Sequence, residues 1–307
     1  MNDGLSGRGK IAVAFVEACH DALREQIDTA NERFFNYRGR PNMELDAWVM
    51  SQPSRQRSYL RAVLDTARMH SMVMYSNGLD HALLLKDALD KPRNNIRIWS
   101  YLSLARGCLE AMMRITYLSS RGIEPRTIVL RSAAVVLDGL QEQMKLARHF
   151  DDVEDGDVLI RSQRALDAEV KRCERAGITL ERGGKANSIQ RVRRDDEVVN
   201  VVVDVTAESE RRVPEVPAPY RIGSAAAHSG AWFLAEAVMS EEGYDPAADP
   251  DIMLTALSMV LFPLLVIVEV EAPPEDAAEI RGLRTRTRRA WSRALDIRDL
   301  AHPEARN

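Results

Sequence analysis

Tyr220, Arg221, Ser224 and His228 fall within nine residues, with Arg221 three places before Ser224 and Ser224 four before His228. On an α-helix this spacing lines Arg221, Ser224 and His228 along one stripe, because seven residues make nearly two turns. Pro219 suits the opening turn of such a helix, which puts Arg221 where unpaired backbone N–H groups and the helix dipole attract an anion. Gly223, Ala225, Ala226 and Ala227 leave little bulk around the stripe. The chemistry open to these residue types is metal-independent RNA cleavage. An imidazole titrating near neutrality moves the proton of a 2′-hydroxyl or of the leaving oxygen, and a guanidinium holds the charge developing on phosphorus. Ser224 can add a hydrogen bond. Spacing alone favours a plainer arrangement, a helix-packing segment in which His228 is hydrogen-bonded in the core and Arg221 pairs with a carboxylate.

Upstream, Arg106, Glu110 and Arg114 repeat every four residues. As an ordinary surface ladder such pairs stabilise a helix by roughly 0.3–0.5 kcal/mol each. Their functional alternative has Glu110 orienting Arg221 or His228 from a facing helix. Near the C-terminus stand Arg281, Arg284, Arg286, Arg288, Arg289 and Arg293. They read as a solvated helix surface, or as an anion-facing ridge on which Arg284, Arg288 and Arg289 contact RNA phosphates.

Other chemistries lack their motifs. The chain has no glycine-rich phosphate loop, no His-Glu-x-x-His helix and no nucleophile elbow. His20, His70, His81, His149 and His302 are isolated, and Met69, Met72 and Met74 read as core filler. Cys19, Cys108 and Cys173 are odd in number and far apart, which argues against a disulfide framework or a zinc site and for a reducing compartment. No cofactor is expected.

The segment from Tyr220 to Gly230, YRIGSAAAHSG, resembles the Arg-x(4 to 6)-His motif of the HEPN superfamily, the higher eukaryotes and prokaryotes nucleotide-binding helical domains, with six residues between Arg221 and His228. The residue after the arginine, polar in active members of that group, is Ile222 here. The pattern Tyr-Arg-x-x-Ser-x-x-x-His, and the long helix carrying Arg106 and Glu110 ahead of it, are also similar to uncharacterised bacterial relatives. The resemblance implies an all-α bundle, often a homodimer that joins two such helices over a composite RNA-cleaving site. It further implies a toxin–antitoxin or phage-defence role, or nucleotide binding without cleavage. On that basis Arg221 and His228 are the expected catalytic pair, supported by Ser224, Tyr220, Arg106 and Glu110. A helical interaction protein that holds a protein partner is the competing expectation.

The elements that must position these residues are helical. Apolar residues make up 45% and charged residues 29% of 307, proportions that suit neither a disordered chain nor a membrane protein, while Leu, Ala, Arg and Glu dominate. A net charge of -4 excludes a broad basic footprint for nucleic acid but not a local groove. The polar N-terminus lacks the form of a signal peptide, so a cytoplasmic protein is expected. Ile252 to Val268 carries no charge, but Pro263 interrupts it; it is expected to be a buried core helix rather than a membrane span.

Three- and four-residue periodicity predicts helices over Lys10–Tyr37, a short one from Asp46 to Ser51, and one after Pro53 that pauses at Asn77-Gly78 and ends by Leu89. Others are predicted over Asn95–Ser120, from Pro125 to Phe150, and over Val158–Arg175. Glu181 to Pro219, with the β-branched run Val198–Thr206, reads as a loop or excursion holding a strand or hairpin. Helices resume over Tyr220–Ser240, Pro250–Val270 and Pro274–Arg298. The expected architecture is an all-α multi-helix bundle or array with one loop or short β excursion near residues 181–218. Its N-terminal helical region spans 1–92, and the bundle carrying the motif spans 93–307.

Overall fold

A computed structural model describes residues 7–38, 42–90, 98–119, 122–150, 157–184, 187–216, 218–227, 239–240, 243–244 and 248–301. The fold is a multi-helix array with a small antiparallel sheet, as its periodicity predicts. Two compact units emerge, one from 1–39, 74–116 and 205–307, the other from 40–73 and 117–204. Each is discontinuous in sequence, whereas the sequence reading divides the chain linearly after residue 92.

The first unit holds α1 (Gly7–Arg38), the later part of α3 (Ser54–Asp90) and most of α4 (Ile98–Ser119). It also holds α7 (Val205–Arg212), α8 (Pro219–Ala227), α9 (Ala248–Glu271) and α10 (Ala277–Ala301). Along α1 the buried residues Phe15, Cys19, Leu23, Ile27, Ala30, Phe34 and Tyr37 recur every three or four positions, forming one apolar stripe that packs on α9 and α10. Phe34 stacks on Tyr75 with ring centroids 4.0 Å apart. In α9 every residue from Ile252 to Val268 except Thr255 is buried, so an apolar run with no polar face becomes the centre of the unit. The helix is long and apolar enough to cross a membrane by composition, yet 89% of that window is buried by the chain itself.

The second unit contains α2 (Met43–Ser51), the start of α3, α5 (Pro125–Phe150), α6 (Asp157–Arg175) and the sheet β1 (Thr179–Gly183), β2 (Ser188–Arg194), β3 (Glu197–Asn200). The strands pair antiparallel in that order, and Ile189, Val192, Val199 and Val201 pack on Val129, Leu130, Ala133 and Leu137 of α5. A Schellman turn closes α6: the Ile178 N–H donates to the Cys173 carbonyl at 2.9 Å and the Gly177 N–H to that of Glu174 at 3.0 Å. Gly177 takes φ +78°, and a β-carbon there would also meet Gln56 at 2.8 Å. Arg194, whose guanidinium lies over Trp48, is buried at this helix end. It donates to the Ala176 carbonyl and, at 2.9 Å each, to Gln52 Oε1 and Gln56 Oε1. A cation is thus set against the negative end of α6.

Four local expectations change. Asn77-Gly78 causes no pause, and α3 runs through it because Gly78 lets α4 approach: a β-carbon there would lie 2.7 Å from Met112 Cε and 2.9 Å from Ala111 Cβ. The excursion begins earlier, at Thr179, and holds three strands rather than the expected strand or hairpin. Its β-branched run divides, ending as strand at Asn200 and opening α7 at Val205, where Glu208 takes Arg211 and Arg212 as partners on the helix surface. The helix expected over Tyr220–Ser240 is described only as Pro219–Ala227. Met239–Ser240 instead forms a two-residue strand, β4, paired with β5 (Gly243–Tyr244).

Candidate functional site

The α8 helix starts as the sequence suggests, with Pro219 in its first turn and buried. Ala218 before it has φ +43°, and its carbonyl accepts the N–H groups of Arg221 at 3.1 Å and Ile222 at 3.2 Å. The amide of Arg221 is therefore spent inside the turn, and the group it offers to solvent is its guanidinium. That side chain is 72% exposed, with its Nε 3.7 Å from Glu210 Oε1 on α7, a loose pair between two open groups.

The opposite side of α8 is fixed to α4. Arg106 donates from Nη2 to the Tyr220 hydroxyl at 3.2 Å, and its guanidinium carbon stands 5.1 Å from the Tyr220 ring centroid. One turn on, a β-carbon on Gly223 would come 2.7 Å from both Arg106 Cβ and Met259 Cε, so only glycine lets α8 lie this close to α4 and α9. Glu110 completes a ladder along α4, 3.7 Å from Arg106 and 3.3 Å from Arg114.

The structure thus brings Tyr220 and Arg106 together across 114 residues of sequence and leaves Arg221 pointing away from that contact. Glu110 is engaged by Arg106 and Arg114, and the carboxylate beside Arg221 is Glu210. Ser224 is half-buried in the middle of α8. His228 lies outside the described residues, directly after the last of them on this helix.

The C-terminal arginines separate into two groups. Arg284 pairs with Glu269 at 2.9 Å and Arg288 with Glu215 at 3.0 Å, while Arg289 is exposed and has no ion pair among the described residues. Burial raises the Glu269 carboxyl above the ordinary range, an effect that Arg284 opposes and neighbouring Glu215 reinforces. In sequence Arg284 and Arg288 are indistinguishable from Arg289, because their acidic partners lie 15 and 73 residues away in the chain. The acids Glu210, Glu215 and Glu269 carry no local signal, because their roles arise only from contacts between elements, whereas the lack of bulk at Gly223 is visible in the sequence.

Among the described residues no group of three or more His, Cys, Asp or Glu is placed to hold a metal ion. The three cysteines are buried, and burial pushes each thiol up to about 12. A cavity of about 370 Å³ in the second unit is lined by Glu174, Gly177, Ile178, Thr179, Leu180 and Arg182, and includes none of the expected site residues. Compared with known proteins, the chain matches no protein-family model, no curated protein and no solved structure.

Proposed function

We propose that the protein binds RNA and cleaves it without a metal ion, using the exposed Arg221 of α8 together with His228, seven residues further along the chain. The observation that carries this reading is the contrast along one short helix: Tyr220 and Gly223 are locked against α4, while the intervening Arg221 is held out at 72% exposure. A cation on a helix fixed from behind is suited to meet a phosphodiester.

In the proposed reaction the 2′-oxygen of one nucleotide attacks the adjacent phosphorus, the new O–P bond forming as the bond to the 5′-oxygen breaks. His228 takes the 2′-hydroxyl proton or supplies one to the departing 5′-oxygen, and Arg221 stabilises the charge on the phosphorus oxygens. A homodimer joining two such helices is the assembly this reading anticipates. The test is incubation of the purified chain with mixed-sequence RNA in EDTA. Products ending in 2′,3′-cyclic phosphate are expected, and the absence of such ends would refute the reaction.

A second reading, a non-catalytic helical protein that binds a partner, is supported by Glu210, which lies close enough to Arg221 to compete with an incoming phosphate. A folded chain that neither binds nor cleaves RNA would favour it.

A further inference from the structure

The solvent face of α10 carries a second cationic feature. Leu283, Thr287 and Ala294 are buried and mark the side of α10 turned to the protein, where Thr287 donates to Gln26 Oε1 of α1 at 2.8 Å. At about 100° per residue, Arg281 and Arg289 fall about 140° from the centre of that side and Arg293 about 100° from it, and all three are exposed. None of the three makes an ion pair among the described residues, in contrast to Arg284 with Glu269 and Arg288 with Glu215. Arg286 on the flank of this face lies 3.7 Å from Glu25, and Asp296 marks its C-terminal end.

We infer that Arg281, Arg289 and Arg293 form a track for the phosphate backbone of single-stranded RNA. This rests on the RNA-binding reading above and assigns the flanking strand a place, distinct from the α8 stripe. Three points support it. Along the helix the three arginines are separated by about 12 Å and about 6 Å, from a rise of about 1.5 Å per residue, so they present a row of cations rather than one cluster. A row of exposed guanidiniums with no ion pair among the described residues suits a repeating anion. The track is also physically joined to the α8 entry, because Arg288 on the same helix holds Glu215 in the short connection between α7 and α8.

An anionic membrane is disfavoured by the same face. A helix that lies in a bilayer surface needs a broad apolar side free to insert, and the apolar side of α10 is already buried against α1 and α9. Leu300, near the helix end, is the one large apolar residue of α10 that is exposed.

The experiment measures binding of a fluorescent 20-nucleotide 2′-O-methyl RNA, which lacks the attacking hydroxyl, so affinity is read without cleavage. The combined variant Arg281→Gln, Arg289→Gln and Arg293→Gln should bind at least tenfold more weakly near 0.1 M salt. Its slope of log affinity against log salt should be shallower by about 2, three single-strand phosphate contacts at about 0.7 each. The control Arg55→Gln, Arg61→Gln and Arg164→Gln removes the same charge from exposed positions in the second unit and should change neither quantity. Wild-type affinity in the track variant would overturn the inference. So would equal losses in track variant and control, or track-dependent binding to phosphatidylserine vesicles with no binding to the RNA. Track-dependent binding by a chain that never cleaves RNA would uphold this inference and remove the catalytic reading instead.

Discussion

Gly223 of α8 faces Arg106 of α4 so closely that a β-carbon on Gly223 would stand 2.7 Å from Arg106 Cβ. This approach, with the Arg106–Tyr220 hydrogen bond, fixes the helix on which Arg221 is displayed.

Gly223→Ala should therefore be destabilising, although alanine is the better helix former by about 1 kcal/mol. The added methyl must displace Arg106 and Met259, and such overpacking costs about 1–3 kcal/mol. Urea denaturation should show a lowered midpoint; an unchanged or raised midpoint would mean that α8 does not pack as described. Tyr220→Phe keeps the ring under Arg106 and removes the hydroxyl, with an expected loss of about 1 kcal/mol in the same assay.

Gly78 offers a parallel case where two elements meet. Glycine inside a 37-residue helix looks like a weakness, and Gly78→Ala in an open helix would stabilise by about 1 kcal/mol. Here the new methyl would meet Ala111 Cβ at 2.9 Å, and Ala111 has no rotamer through which to retreat. A fall in melting temperature is expected, and a rise would show that α3 and α4 stand further apart.

Glu169 gives the second unit a pH dependence of defined sign. Its carboxylate is buried, and burial raises its pKa from 4.5 despite the opposing effects of Arg172 and the Cys173 thiol. The folded state then holds this proton more tightly than the unfolded state, so its contribution is fully present in acid and is lost as pH rises through and above 4.5. Glu169→Gln mimics the protonated side chain. Its melting temperature relative to wild type should climb as pH is raised from 4 toward neutrality. A difference that stays constant over that interval would contradict the assigned shift.

How far the molecule could be read from its sequence follows from how local each signal is. The stripe from Phe15 to Tyr37 and the uncharged run before Pro263 declare their helices through periodicity and length alone. Val198 to Thr206 does not declare itself, because the same β-branched residues close a strand at Asn200 and then open a helix at Val205. Gly78 reads as a break and only its contact with a second helix explains it, whereas Gly223 already reads as a lack of bulk on the stripe, without saying which helix comes close. At the site, the spacing from Arg221 identifies a stripe. That Tyr220 turns inward to Arg106, and that Glu210 rather than Glu110 neighbours Arg221, depends on pairings across 114 and 11 residues that no local pattern encodes.

The central claim is that Arg221 serves a phosphate and not the fold, and one comparison tests it most directly. With a side chain 72% exposed and a single loose ion pair, Arg221→Ala should melt within a degree or two of wild type, since surface substitutions of this kind stay within about 0.5 kcal/mol. Single-turnover RNA cleavage in EDTA should nevertheless fall by about 100-fold or more, as loss of a transition-state charge partner demands, with His228→Ala falling by at least as much. A variant that loses stability while wild-type and variant chains show the same cleavage rate, or none, would make Arg221 a structural residue and contradict the account.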